Sequence, residues 1–275
     1  MKKRVYMSLI SASCVALSFA AGARLTVKGS DTMVILAQQW AEKFMKAHPG
    51  TTIQVTGGGS GTGFAALING TTDICNASRP IKDKEIAQIK GKFGAAPVEI
   101  RTAIDGIAMY VHETNPIKEI ALEQIKGIYT GAITNWRQVG GADAKIILYG
   151  RENSSGTYEF FREHVLGNAD YSPFVQSLPG TAAIVNAVAK DKNGIGYGGA
   201  AYGKGIRHLL VKKDAQSKGY EPTVENIKSG EYPISRYLYM YTLKKPEGLA
   251  KEFIDWILSA EGQKIVSEVG YFPVK

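Results

Sequence analysis

Short apolar runs alternate with longer amphipathic ones along most of this chain, with small polar residues at the joints. Leu25-Thr26-Val27 predicts a strand, and Gly29-Ser30-Asp31-Thr32-Met33 the turn after it. Val34, Leu36, Ala37, Trp40, Ala41 and Phe44 recur at helical spacing and predict a helix to about Ala47, ended by Pro49-Gly50. A strand at Thr52–Val55 leads into the loop Gly57–Gly63 and a helix over Phe64–Ile68. Asp73–Ala77 reads as a strand closing on Ser78-Arg79-Pro80, before a lysine-rich helix over Lys84–Lys90. Val98 to Val111 reads as two apolar stretches split by Asp105-Gly106. A helix over Leu122–Tyr129, a strand over Ile146–Tyr149 and helices after Thr157 and over Thr181–Lys190 follow. Gly194–Gly199 is a glycine-dense strand or turn, Tyr237–Thr242 an aromatic strand, and Leu249–Leu258 and Glu261–Val269 closing helices.

Strand–helix alternation of this kind predicts an α/β protein with mostly parallel sheets covered by helices. The chain is expected to leave one lobe near Asp105 and return near residue 205. That gives a first lobe of 24–105 and 205–275 and a second of 106–204. Two lobes joined by two crossovers form a cleft, and strand ends facing a cleft are where ligands bind.

The first 23 residues read as a targeting segment rather than structure. Lys2, Lys3 and Arg4 precede an apolar run from Leu9 to Phe19, and Ala21-Gly22-Ala23 fits a cleavage site. The run is too short to span a membrane comfortably, and Cys14 lies inside it, where a lipid-bearing cysteine is not expected. Export to a periplasm follows. Cleavage leaves Cys75 as the one cysteine, so the fold must close on its apolar core without an internal disulfide. It also lowers the net charge from +8 to +5, which favours anionic ligands without naming one. No arginine-rich or aromatic stacking tract points to nucleic acid, and the lysines at 82, 84, 90 and 92 suit a solvated face.

The chemistry concentrates at the strand-to-helix joints. Gly150-Arg151-Glu152-Asn153-Ser154-Ser155-Gly156-Thr157 brings an arginine, hydroxyls and glycine-freed backbone N–H groups to a helix start, the arrangement that grips an oxyanion. Gly57–Gly63, with Ser60, and the turn with Thr32 and Met33 have the same character. Each also suits a capped helix or a flexible loop. The glycine loop lacks the spacing of a dinucleotide fingerprint and the lysine of a P-loop. Neither serine loop reads as a nucleophile elbow. The four histidines show no ligand spacing, so no metal or other cofactor is expected, and an enzyme is disfavoured. Tyr237, Tyr239 and Tyr241 alternate as one face of a strand and suit packing better than stacking on a ligand.

Beyond these joints, the run Ile125–Trp136 (IKGIYTGAITNW), Gly194-Ile195-Gly196-Tyr197, Gly262-Gln263 and the Arg151…Ser155-Gly156-Thr157 loop resemble the phosphate-binding component of bacterial ABC phosphate uptake systems, across Val27 to Val274. The resemblance implies a type II periplasmic-binding-protein fold, a monomer that closes over inorganic phosphate and serves a membrane ABC permease. It implies that the Thr32 hydroxyl and Met33 N–H donate to the anion, with Ser60 from the glycine loop. Arg151 would supply a charged fork, and Ser155, Gly156 and Thr157 would cap the anion from the opposite lobe. One departure stands out. Where the family's best-known pattern has an aspartate that accepts the phosphate proton, this chain has Ser78 with Arg79 beside it, both expected to face the anion. Asp105 is the leading substitute, with Asp31 and Glu152 as others. The position two after Arg151, often acidic in the family, is Asn153, so that arginine's orienting partner is missing or replaced. Sulfate, molybdate or tungstate are alternative ligands, and a phosphate-sensing interaction protein is an alternative function.

Overall fold

The computed structural model describes residues 23–274. The expected leader thus lies, except for Ala23, outside the described residues. Among the described residues, ten strands and nine α-helices follow in the order β1 (Arg24–Gly29), α1 (Val34–Ala47), β2 (Thr52–Thr56), α2 (Ser60–Asn69), β3 (Ile74–Ala77), α3 (Asp83–Phe93), β4 (Val98–Val111), β5 (Glu119–Ala121), α4 (Leu122–Thr130), β6 (Ile147–Arg151), α5 (Gly156–His164), β7 (Gln176–Leu178), α6 (Gly180–Val188), β8 (Gly194–Gly199), β9 (Arg207–Lys212), α7 (Val224–Lys228), β10 (Ser235–Thr242), α8 (Gly248–Ile257) and α9 (Ala260–Val269).

The strands form two sheets that share β4. One runs β2-β1-β3-β10-β4 and the other β5-β9-β4-β8-β6-β7. Pairing is parallel for β1 with β2 and β3, for β6 with β7 and β8, and for β5 with β9, but antiparallel around β4 and β10. The sheets are therefore mixed rather than mostly parallel. The two apolar stretches expected over 98–111 are one continuous strand. Its first part pairs with β10 up to Ser235↔Gly106, and its last part pairs with β8 from Ile107↔Gly199. Asp105 does not break the strand because its charge is partnered from the neighbouring one.

Each sheet carries its own core, as a helix stripe or sheet face must be covered by another layer. Leu36, Ala37, Trp40 and Phe44 of α1 pack with Val27, Ile53, Leu238, Met240 and the α8–α9 residues Phe253 and Val266. On the other side Met109, Ile125, Ile128, Tyr129, Phe161 and Tyr197 form the second core. Leu209, Val211, Tyr232 and Ile234 belong to that second core. Strand β9 pairs with the end of β4, and β10, from Ser235, pairs with its first part. Cys75 is buried with Phe64, Leu67 and Tyr241, and burial pushes its thiol pKa up. No described helix is long and apolar enough to cross a membrane.

Candidate functional site

The N-termini of α2 and α5 meet where the two bodies touch. β6 ends at Arg151, and Ser155 Oγ caps α5 by accepting from Thr157 N at 3.2 Å and Tyr158 N at 3.3 Å. Gly59 adopts φ 92° and leads into Ser60, the first residue of α2. Gly61 N donates to Ser154 O at 2.8 Å, a backbone bond between the bodies. The approach requires a glycine at 156, since a Cβ there would lie 2.3 Å from Ser60 Oγ and 2.7 Å from Ser78 Oγ.

Around this meeting point lies a buried cluster of hydroxyls. Thr32 Oγ1 and Thr157 Oγ1 share a hydrogen bond of 3.0 Å across the interface. Ser30 Oγ donates to Ser78 Oγ at 2.9 Å, and Ser60 Oγ accepts from Ser78 N at 3.0 Å. The structure therefore brings Thr32, Ser60, Ser78 and Thr157 together with Gly156 and the α5 cap Ser155. The Met33 N–H donates to Ser30 O at 3.1 Å, and its side chain lies in the first core. Tyr271 OH holds the Thr32 carbonyl at 2.6 Å.

Three arginines surround the cluster with different attachments. Arg151, 1% exposed, donates to Asp31 Oδ2 at 2.9 Å, Thr181 Oγ1 at 3.0 Å and both Glu152 oxygens. Glu152 and Asp31 thus supply the orienting carboxylates that Asn153 cannot. Asp31 Oδ1 also accepts from Gly58 N, tying the glycine loop to the same pair. Arg79 does not turn toward the cluster as expected. Its guanidinium forms a bidentate pair with Glu85 at 2.7 and 2.9 Å and lies over the Phe64 ring. Glu85 also accepts from Lys82 N at the start of α3, so that carboxylate is fixed where it captures the arginine.

The third is Arg236, which the sequence reading missed. It pairs in register with Asp105 across β10 and β4. Its Nε and Nη2 donate to Asp105 Oδ2 at 3.1 and 2.9 Å, Nη1 to Ser78 O at 2.7 Å, and Nη2 also to Thr157 Oγ1 at 2.9 Å. Asp105 has no exposed surface, and burial raises its pKa against the lowering pull of Arg236. Its Oδ1 is without a hydrogen-bond partner of normal geometry among the described residues. No sequence signal marked Arg236, a lone cation in an aromatic strand.

Hydroxyls and backbone N–H groups at two helix starts can satisfy the oxygens of a small oxyanion from both sides. Each nearby buried cation is already matched by a carboxylate, so neutral donors dominate the site's inner surface. Among the described residues no cluster of His, Cys, Asp and Glu could hold a metal ion. An open groove of about 600 Å³ lies elsewhere, against His208, Glu221 and Phe272, and shares no residue with the cluster.

A family model described as a PBP superfamily domain matches residues 18–261. The chain is 33% identical over 267 residues to the phosphate-binding protein PstS of Pseudomonas aeruginosa, covering 91% of this chain and 83% of that one. It is 35% identical over 255 residues to PstS of Bacillus subtilis, covering 92% and 82%. Among solved structures, a phosphate-bound substrate-binding protein from Clostridium perfringens superposes with a TM-score of 0.83 at 33% identity, over 92% of this chain and all of that one. An ABC-type phosphate transport receptor from Vibrio cholerae gives 0.72 at 29% identity, over 90% of this chain and 99% of that one. The two-lobed binding-protein fold expected from the sequence is the observed one, and the chain belongs to the PBP superfamily and, within it, to the family of PstS proteins.

Proposed function

We propose that this protein binds inorganic phosphate between its two lobes and delivers it to a membrane ABC permease. The observation that carries the reading is the meeting of Thr157 and Gly156 from one lobe with Thr32, Ser60 and Ser78 from the other. A ligand there contacts both lobes at once, so its binding favours the closed arrangement. The names of the PstS relatives and the phosphate bound to the Clostridium perfringens protein support the choice of anion. Thr32, Ser60, Ser78 and Thr157 donate hydroxyls, Ser155 and Gly156 present the α5 start, and Arg151 adds positive charge behind them. Arg79 takes no part in this reading, and Met33 serves by packing. The protein is a carrier rather than an enzyme, exported to the periplasm through its leader and acting as a monomer.

A second reading, another tetrahedral oxyanion, has one observation in its favour. The carboxylates nearest the cluster, Asp31 and Asp105, are each committed to an arginine. Their bonds run to arginines and, for Asp31, to Gly58 N rather than to the hydroxyls of the cluster, which sets them back from the proton that distinguishes hydrogen phosphate from sulfate. Calorimetric titration of anion-stripped protein with phosphate, competed by sulfate and molybdate, decides between them. One-to-one phosphate binding that excess sulfate leaves intact is expected. Displacement by sulfate or molybdate names a different ligand, and no binding to any of them overturns the carrier reading.

A further inference from the structure

We infer that Arg236 is a direct ligand of the bound anion, with Asp105 as its counter-ion rather than as the acceptor of a ligand proton. This rests on the phosphate reading above. Arg236, rather than Arg151, reaches the hydroxyl cluster. The hydrogen-bond partners of Arg151 are Asp31, Glu152 and Thr181, none of them in the cluster. Arg236 Nη2 donates to Thr157 Oγ1, which is also bonded to Thr32 Oγ1, and Nη1 donates to the carbonyl of Ser78. The guanidinium therefore borders the cluster on both the Thr157 and the Ser78 sides.

A guanidinium has five N–H donors in a fixed plane. Asp105 takes Nε–H and one Nη2–H, Thr157 the other Nη2–H, and Ser78 one Nη1–H. One Nη1–H is left over from these bonds. Asp105 and the Ser78 carbonyl hold the plane from its own lobe, so the fork is fixed before a ligand arrives, and the Phe160 ring of the other lobe lies against it, 5.4 Å from guanidinium carbon to centroid. An anion seated among Thr32, Ser60, Ser78 and Thr157 meets this fork at hydrogen-bond range. It competes for Thr157, whose hydroxyl can turn its proton to the ligand while still accepting from Arg236.

Asp105 fits the role of counter-ion better than that of proton acceptor. Its Oδ2 accepts two guanidinium bonds, and its Oδ1 lies against Gly199, in space that a Cβ would fill, since one there would lie 2.9 Å from Oδ1. Without the carboxylate, a buried arginine would stand uncompensated in the unliganded protein, which is costly. The pair also joins β4 to β10, so the ligand's grip on Arg236 bears directly on the strands that connect the lobes.

The test compares wild type, Arg236→Lys and the double variant Arg236→Met/Asp105→Asn by phosphate titration and thermal unfolding. The lysine keeps the charge against Asp105 but loses the fork, and at least tenfold weaker phosphate binding is expected. The double variant removes both charges, so no ion is left buried alone. It is expected to unfold within a few degrees of wild type and to bind phosphate at least 100-fold more weakly. A purely structural pair predicts the opposite for the double variant, a preserved fold with preserved affinity. Affinity within threefold of wild type in either folded variant overturns the assignment of Arg236 alone. A wild type that binds no phosphate overturns the phosphate reading and this inference with it.

Discussion

Asp105 and Arg236 lie opposite each other in the β4–β10 ladder, and their side chains join at 2.9 Å with almost no exposed surface. Removing one member of such a pair leaves the other charged in a dry interior. Asp105→Ala is expected to lower unfolding free energy by about 3–5 kcal/mol, read from urea melts. A loss below about 1 kcal/mol would mean that water or another carboxylate reaches Arg236. The ratio of phosphate to sulfate affinity should stay where it is in a folded Asp105→Asn variant.

Gly156→Ala tests the lobe contact directly. The new methyl would lie under 3 Å from Ser60 Oγ, Ser78 Oγ and Ser60 Cβ, and turning the hydroxyls away leaves the Cβ contact in place. Phosphate affinity should fall by at least tenfold, while the melting temperature of the ligand-free protein changes little. Small-angle scattering with saturating phosphate should show a less compacted molecule than wild type. Full compaction would show that the lobes close without this approach.

Arg151→Gln removes the charge that Asp31 and Glu152 share between lobes. Charge-assisted bonds of this kind contribute about 1.5–3 kcal/mol each, so a loss of phosphate affinity of roughly 100-fold is expected by calorimetry. An unchanged constant in a folded variant removes Arg151 from the site.

Lys82 and Glu159 form another pair between lobes, at 2.7 Å but at the rim, with the lysine side chain 43% exposed. Burial pushes the Glu159 carboxyl up, yet the lysine bond and charge bring it below its ordinary value overall. Exposed pairs contribute about 1 kcal/mol or less. Lys82→Ala should therefore alter phosphate affinity by no more than about fivefold, and that change should shrink further in high salt. A larger, salt-independent effect would make the rim pair part of the binding site.

His208 gives a pH prediction. It packs on Tyr110, its Nε2 sits 3.0 Å from the Tyr202 carbonyl, and burial lowers its pKa although that carbonyl and Glu221 pull it up. The folded protein thus binds this proton less readily than the unfolded chain. Its stabilising share is present above the ordinary histidine value of about 6.5 and is lost as pH falls toward the depressed folded value. Urea midpoints should drop between pH 7.5 and 5, and His208→Gln should flatten that drop. An equal drop in the variant would assign it to other groups.

The sequence made the helices with a clear apolar stripe legible, such as α1, and so were the joints that carry Thr32, Ser60 and Thr157. What escaped was decided by partners far along the chain. Asp105 looked like a break between two strands, because nothing local shows that Arg236, 131 residues later, neutralises it. Arg79 looked like an anion ligand, although Glu85 at the start of the next helix was there to capture it. The strands β5 and β7 are three residues each, too short for alternation to register. Glu152 was in view beside Arg151, but its role depended on the turn of the loop.

The two crossings between lobes lie side by side. Ile107 N donates to Ile234 O at 2.8 Å just where β4 passes from one sheet to the other and β10 begins. The lobes are thus bound like the boards of a book, along one narrow spine of paired backbone. Paired strands bend more readily than they shear, so movement is channelled into opening and closing about that spine. Under the proposed function, each lobe then keeps its half of the hydroxyl cluster rigid, and a single angle sets whether the anion is held or released.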